Sequence, residues 1–317
     1  MPLTIRTRPL LASVLALAGA ANCSSPGKSE KARAPVTTRA QQATCVDYAD
    51  RDASGPLIFG TLGDYGVDNS NEGEVAKLMH GWPLQFILTL GDNNYPDGAA
   101  DTIDANIGRY YHSFIAPYRG AHGLGACRNR FFPSLGNHDW VTPEAKPYRE
   151  YFELPGNERY YDVVWGDVHL FALDSDPNEP DGVTPDSIQG QWLKSTLAAS
   201  TSHFNVVYMH HPPFSSGPHG ASSYMQWPYK EWGADLVVGG HDHDYERLNV
   251  DGLTYIVCGL GGASNYPIAD TRVPGSEFAF SGKFGAGRVT VTAETLLFEF
   301  ITTDGQLVDQ VTLAARY

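Results

Sequence analysis

Five short clusters along the 317-residue chain carry side chains that can hold metal ions. In order they are Gly63-Asp64-Tyr65-Gly66, Gly91-Asp92-Asn93-Asn94-Tyr95, Gly136-Asn137-His138-Asp139, Val207-Tyr208-Met209-His210 and Gly240-His241-Asp242-His243. Carboxylate, phenol, carboxamide and imidazole are ligands for hard and borderline cations. Taken singly, each cluster is ordinary. Gly-Asp occurs in any turn, an Asp caps helices, and a His-x-His pair serves structure as often as metal. The ordered set of five, each closing a predicted strand, meets the context a motif match requires. No Ser or Cys nucleophile stands in a comparable motif, so the chemistry on offer is metal-assisted.

The elements that must position these groups are short apolar runs. Leu57 to Leu62 leads into Asp64, Phe86 to Leu90 into Asp92, and Phe131 to Leu135 into Asn137. His169 to Leu173 leads into Asp174, Asn205 to Met209 into His210, and Asp235 to Val238 into His241. Runs this short, rich in β-formers and bounded by Gly, read as buried strands. Their C-terminal ends are where loops converge on ligands in layered α/β proteins. Helical stretches are expected at Glu72 to His80, Ile103 to Tyr118 and Ser187 to Leu197. From about Thr254 the runs Tyr255 to Cys258, Arg288 to Thr292, Leu296 to Thr302 and Leu307 to Leu313 read as consecutive strands joined by turns such as Asp304-Gly305, which suggests a second, partly antiparallel sheet. The residues alone therefore predict an α/β protein with a site along a strand edge.

The order Gly-Asp-x-Gly, Gly-Asp-x-x-Tyr, Gly-Asn-His-Asp, Val-x-x-His and Gly-His-x-His, running from Gly63 to His243, resembles the metallophosphoesterases. Within them it is similar to the purple acid phosphatases. Most metallophosphoesterases have His at the end of the first motif; here Gly66 stands there and Tyr95 is offered instead. The resemblance covers about residues 55 to 317 and points to the short, tartrate-resistant type. It implies a four-layer αββα sandwich of two mixed β-sheets flanked by helices. It also implies a binuclear centre, for which hydrolysis needs a carboxylate shared by ions roughly 3.5–4 Å apart. By resemblance Asp92 is that bridge, Asp64, Tyr95 and His243 complete an iron(III) site, and Asn137, His210 and His241 complete a site for divalent iron, zinc or manganese. Phenolate ligation by Tyr95 would colour the protein purple. Three anionic ligands against a trivalent and a divalent ion leave about +2 to attract phosphate, with metal-bound hydroxide as nucleophile. His138 is placed to protonate the leaving group, with Asp139 to orient it, and His219 matches a second substrate-pocket histidine. His211 has no family counterpart and reads as a supporting or solvent-facing imidazole. Tyr245, Glu246 and Arg247 follow the last motif and brace it or form an ordinary ion pair.

Composition bounds the function. With 22 Lys plus Arg against 36 Asp plus Glu, the formal charge is −14, which excludes a sequence-blind grip on nucleic acid or anionic lipid. The 42% hydrophobic and 18% charged residues are those of a folded protein. The uncharged stretch Leu10 to Ala21 is 12 residues long, short of the roughly 20 a membrane helix needs. After Arg6 and Arg8, and with small residues from Ala18 to Ala21, it reads as a signal peptide over 1–21. Residues 22–54 read as a flexible polar leader and 55–317 as the catalytic domain. Cys23 admits lipid anchoring, although Ala20, Ala21 and Asn22 make a poor lipobox, and a soluble exported form is favoured. Cys45, Cys127 and Cys258 allow one disulfide, with no pair singled out. The implied function is an exported acid phosphatase acting on small phosphate monoesters. Alternatives are a phosphodiesterase or nucleotide-phosphate hydrolase on the same scaffold, and an iron-dependent redox or metal-binding surface protein. The loops Pro96 to Asp101, Asp176 to Pro185 and Ser215 to Met225 hold no Arg or Lys cluster, so a second strongly anionic group on the substrate is not indicated. Oligomeric state is not set by the sequence.

Overall fold

The computed structural model describes residues 45, 46 and 55–316. The predicted signal peptide, Cys23 and most of the predicted leader lie outside the described residues. Within them the chain forms thirteen strands in two mixed sheets. The first sheet has the order β13-β12-β11-β1-β2-β3, with β1 Leu57–Leu62, β2 Phe86–Leu90, β3 Phe131–Ser134, β11 Gly285–Val291, β12 Thr295–Thr302 and β13 Leu307–Ala314. The second has the order β10-β8-β9-β7-β6-β5-β4, with β4 Tyr161–Trp165, β5 Val168–Ala172, β6 Phe204–Tyr208, β7 Leu236–Gly239, β8 Tyr245–Val250, β9 Leu253–Cys258 and β10 Ser276–Phe280. Strands β1, β2 and β3 run parallel, as do β5, β6, β7 and β9. The seven-stranded sheet thus has a parallel centre and antiparallel flanks, whereas the six-stranded sheet has a parallel half, β1 to β3, and an antiparallel half, β11 to β13. The strands from about Thr254 onward are therefore divided between the two sheets, with β9 in the second, and form no sheet of their own.

The uninterrupted apolar runs are explained by burial on two faces. In β6, Phe204, Val206 and Tyr208 join a cluster that also holds Phe59, Phe86 and Phe298 of the other sheet. Their neighbour Val207 joins a second cluster with Leu193 and Leu197 of the helix Ile188–Ala199. Strands β5, β7 and β9 divide in the same way: Leu170, Val238 and Ile256 point to the opposing sheet and Phe171, Val237 and Val257 to the helix side. Side chains alternate along a strand, so one sequence run fills both layers. Each Val, Leu or Phe buried this way contributes about 1.5–3 kcal/mol. The six-stranded sheet is backed by α1 Ser70–His80, whose Val75, Ala76 and Met79 face the core. Asn69 caps that helix, accepting from the Asn71 and Glu72 amides.

Several expectations are corrected. The helix expected to run from Ile103 to Tyr118 is broken into a wide turn at Asp104–Gly108, the short α2 Arg109–Tyr111 and a 3-10 turn ending at Phe114. Asp104 takes the hydroxyls of Tyr118 and Tyr151 and the Ala121 amide, and these contacts hold the stretch after Phe114 as a loop. Short helices α3 Asn137–Trp140, α4 Lys146–Tyr151 and α6 Tyr229–Trp232 precede and follow α5 Ile188–Ala199. Strands β4, β8 and β10, absent from the sequence reading, complete the second sheet. Cys45 pairs with Cys127, Val46 bridges Ala126, and Cys258 is free and buried. Part of the predicted leader is therefore fastened to the body, through a cystine and the two backbone bonds Val46 N–H to Gly125 and Cys127 N–H to Val46. No helix of the described residues is long and apolar enough to cross a membrane.

Candidate metal centre

The strand ends of both sheets meet along one line. At the end of β1 the Gly63 amide donates to the Cys258 carbonyl that ends β9, at 3.0 Å, and the Gly261 amide returns to Gly63. Three of the residues singled out by sequence leave their strands with a left-handed backbone: Asp64 at φ 59°, Asp92 at φ 51° and His241 at φ 69°. That conformation is sparse for residues other than Gly, least so for Asp, Asn and His, and it turns the side chain out of the strand direction. Gly66 and Gly136 are needed for close approach. A Cβ on Gly66 would lie 1.7 Å from the Asn93 carbonyl oxygen, and one on Gly136 would lie 2.2 Å from the Asp92 amide nitrogen. With Gly66 closed against Asn93, no side chain can enter from that position, and the Gly66 carbonyl instead receives the Tyr95 amide.

All seven residues read as candidate ligands converge, around one oxygen. Asp92 Oδ2 lies 3.0 Å from the Tyr95 hydroxyl and 3.3 Å from His210 Nε2. On the Tyr95 side, Asp64 Oδ1 is 3.4 Å from the same hydroxyl and His243 Nε2 is 3.2 Å from it, and those two are 3.3 Å apart. On the His210 side, Asn137 Oδ1 lies 2.9 Å and His241 Nδ1 3.1 Å from His210 Nε2. Asp64, Asp92, His210 and His243 are buried; Tyr95, Asn137 and His241 are partly open.

The donor chemistry of this cage fits a cation. His210 Nδ1 faces the Leu90 carbonyl at 2.8 Å, so that nitrogen carries a proton. In the neutral ring Nε2 is then a bare lone pair, and it faces Asp92, Asn137 and His241, of which the first two can offer only oxygen lone pairs there. A proton or a metal cation at Nε2 would relieve this clash of lone pairs. Burial alone lowers an imidazole, but Asp92 and Asp64 push His210 well above its usual range, which favours positive charge at this point. Burial alone would likewise raise Asp92, and His210 and His138 hold it low instead. Burial, then His210, His211 and His219, holds His241 neutral. Burial and the two carboxylates keep the Tyr95 phenol protonated well above its ordinary value. Two carboxylates, a phenol and an amide oxygen with three imidazoles are a set that a pair of hard and borderline ions would satisfy.

The surrounding residues divide as follows. His138 sits on the rim, its ring centroid 4.2 Å from that of Tyr95, its Nδ1 2.5 Å from the Pro96 carbonyl and its Nε2 3.9 Å from Asp92 Oδ2. Asp139 does not orient it: Asp139 Oδ2 accepts from the Gly136 amide and from the Asn93 amide and side chain. Its carboxyl faces away from the His138 ring into the loop after β2, where burial first and Asp92 next push it up to about 7. His219 stacks on His241 with centroids 4.3 Å apart, and its amide donates to Asp242 Oδ1. His211 is buried against His210 and His241, so it is not solvent-facing. Glu246 accepts from Ser216, while Tyr245 and Arg247 both bind Asp309. Sequence reasoning missed Tyr266, which stacks on His243 at 4.1 Å and meets His219 edge-on. It also missed Ser264, whose hydroxyl lies 2.5 Å from His243 Nδ1. Both come from the long connection after β9, which carries no motif.

Two facing mixed sheets with this convergence of carboxylates and imidazoles at their joined edge define a metallophosphoesterase. The model of the calcineurin-like phosphoesterase family matches residues 67–245, and the chain belongs to that family. It is purple acid phosphatase-like within it. The mouse (Mus musculus) tartrate-resistant acid phosphatase type 5 is 24% identical over 305 residues, covering 82% of this chain and 91% of that protein. The purple acid phosphatase 17 of Arabidopsis thaliana is 25% identical, covering 66% and 69%. Among solved structures, the purple acid phosphatase PPD1 of yellow lupin superposes with a TM-score of 0.66 at 17% identity, covering 82% of this chain and 54% of that one. The Plasmodium protein GAP50, described as the anchor in the inner membrane complex, superposes with a TM-score of 0.64 at 19% identity, covering 83% and 90%.

Proposed function

We propose that this chain is an exported acid phosphatase that hydrolyses small phosphate monoesters at a binuclear metal centre, with residues 55–317 as the catalytic domain. The observation that carries the reading is the position of Asp92 Oδ2, between Tyr95 and His210 and thus between two ligand sets. In this reading Asp64, Asp92, Tyr95 and His243 hold one ion, suited by its anionic oxygens to iron(III). Asp92, Asn137, His210 and His241 hold the other, a divalent iron, zinc or manganese ion. Bound there, the pair would supply Lewis acidity toward phosphate oxygens and an acidified water.

The remaining work belongs to the chain. His138 packs against Tyr95 of one ligand set and His219 against His241 of the other. Both can bind a phosphate oxygen and deliver a proton to the departing alkoxide, which general acid catalysis of this kind makes roughly a hundredfold to ten-thousandfold faster. Export is supported by the N-terminal pattern and by the Cys45–Cys127 bond, since disulfides persist in oxidising compartments. The test is elemental analysis of the purified protein together with turnover of a monoester and a diester model substrate at acidic pH. Two metals per chain and faster monoester cleavage are expected. Metal-free protein, or loaded protein without turnover, would overturn the reading, and faster diester cleavage would reassign the substrate.

A further inference from the structure

His211 belongs to neither ligand set, yet the fold places it inside the site. It is 8% exposed. Its ring centroid lies 4.5 Å from that of His241 and 4.9 Å from that of His210. One nitrogen from each of these three rings lies within 4.8 Å of the others. The ring is held from behind by Ser175, on the loop that follows β5: the His211 amide donates to Ser175 Oγ at 2.8 Å, and His211 Nδ1 lies 3.0 Å from the same oxygen.

Counting protons assigns the tautomer. An imidazole ring carries at least one N–H, on Nδ1 or on Nε2. A serine hydroxyl has one proton and two lone pairs, and one lone pair of Ser175 already receives the His211 amide. Ser175 is fully buried, and among the described residues its hydroxyl has no acceptor other than His211 Nδ1. Were Nδ1 the N–H, the hydroxyl proton would be stranded in the interior, an arrangement that native structures avoid. The hydroxyl therefore donates to Nδ1, and the ring proton sits on Nε2. A protonated nitrogen cannot ligate a cation, but it can donate to an anion.

Resting on the phosphate-ester reading above, we propose that His211 is a phosphate-binding residue. Its Nε2–H donates to a non-bridging oxygen of the phosphoryl group on the His210–His241 side of the centre, and Ser175 is the positioning residue that keeps the proton there.

The variants His211→Phe, His211→Gln and Ser175→Ala, purified with their metals beside the wild type, test this. Three readouts are needed: metal content, affinity for inorganic phosphate by calorimetry, and KM and kcat for a phosphomonoester. All variants should retain the metal content of the wild type. His211→Phe should weaken phosphate binding about tenfold to a hundredfold, the range for a lost hydrogen bond to a charged group, and raise KM by more than it lowers kcat. His211→Gln, whose amide still donates, should recover part of that loss, and Ser175→Ala should weaken phosphate binding less than His211→Phe. If His211→Phe does not fold, the other two variants carry the same comparison. Wild-type phosphate affinity in His211→Phe, or in both His211→Gln and Ser175→Ala, overturns the proposal and leaves His211 a packing residue. Loss of one ion from His211→Phe overturns it in favour of a third imidazole ligand. Wild-type protein that binds neither metal nor phosphate would instead overturn the phosphate-ester reading itself.

Discussion

The two sheets bring different chemistry to their common edge. Every oxygen donor of the candidate centre comes from the six-stranded sheet: Asp64 after β1, Asp92 and Tyr95 after β2, and Asn137 after β3. Every nitrogen donor comes from the seven-stranded sheet: His210 after β6, and His241 and His243 between β7 and β8. Neither sheet holds a complete set on either side of Asp92. The bonds that cross the join include His210 Nδ1–H to Leu90 and the His241 amide to Asp64 Oδ2, at 2.8 and 2.9 Å. Metal bound at the candidate centre would therefore draw on both sheets at once, and loading with metal should stabilise the packed sandwich by mass action.

The strongest way to break this division is to remove the oxygen that both sides share. Asp92→Ala should lose metal from both sides and lower kcat by about a thousandfold or more, several kcal/mol of electrostatic stabilisation. Elemental analysis and steady-state rates check it, and an Asp92→Ala protein with full metal and full activity would end the shared-carboxylate reading. His138→Ala removes a rim group and no candidate ligand. It should keep the metal content and lower kcat about a hundredfold, a loss to be confirmed by the same two measurements. Tyr95→Phe sharpens the oxygen side alone: the visible absorption band that a Tyr95 phenolate on iron(III) would give the wild type should be missing from the variant, with activity falling by only about tenfold. Colour retained in that variant would assign the band to another group.

The smallest expected effect concerns a carboxyl of the seven-stranded sheet. Asp244 is fully buried, and neither of its oxygens has a hydrogen-bond partner among the described residues. Burial first, then Asp242 and Glu246, push it up to about 8. An acid raised in the folded state stays protonated there at pH values where the unfolded chain has already lost its proton. Below about pH 4, the ordinary range for Asp, both states carry the proton and ionisation adds no penalty; stability is lost progressively as pH climbs from there through about 8. In metal-depleted protein the Asp244→Asn variant should match the wild type at pH 4 and exceed its Tm by a few degrees at pH 8. Thermal unfolding across that window measures it, and a gap that narrows with rising pH would contradict the sign.

Legibility followed the period of the pattern. Strands β1, β2, β6, β12 and β13 were readable because burial on two faces, or alternation on one, imprints itself on the local sequence. Strands β4, β8 and β10 were not: Tyr161–Trp165, Tyr245–Val250 and Ser276–Phe280 are flanking strands of mixed polarity, and they form because β5, β8 and β9 offer hydrogen-bonding edges. The disulfide partner of Cys127 was unreadable for a related reason, since Cys45 lies 82 residues away in a stretch whose composition predicts no structure. Asp139 was misread because its nearest sequence neighbour, His138, is not the nearest donor; Asn93, 46 residues earlier, is.

By itself the sequence determined the identity of the candidate ligands, their order and their attachment to strand ends, because each depends on a few adjacent residues. Only the tertiary structure decided which of them meet. Asp92 stands between Tyr95 and His210, His211 leans on Ser175, and Tyr266 lies over His243. Most of these contacts join segments from different strands, often from different sheets, and residues so far apart along the chain carry no local signal of the packing that brings them together.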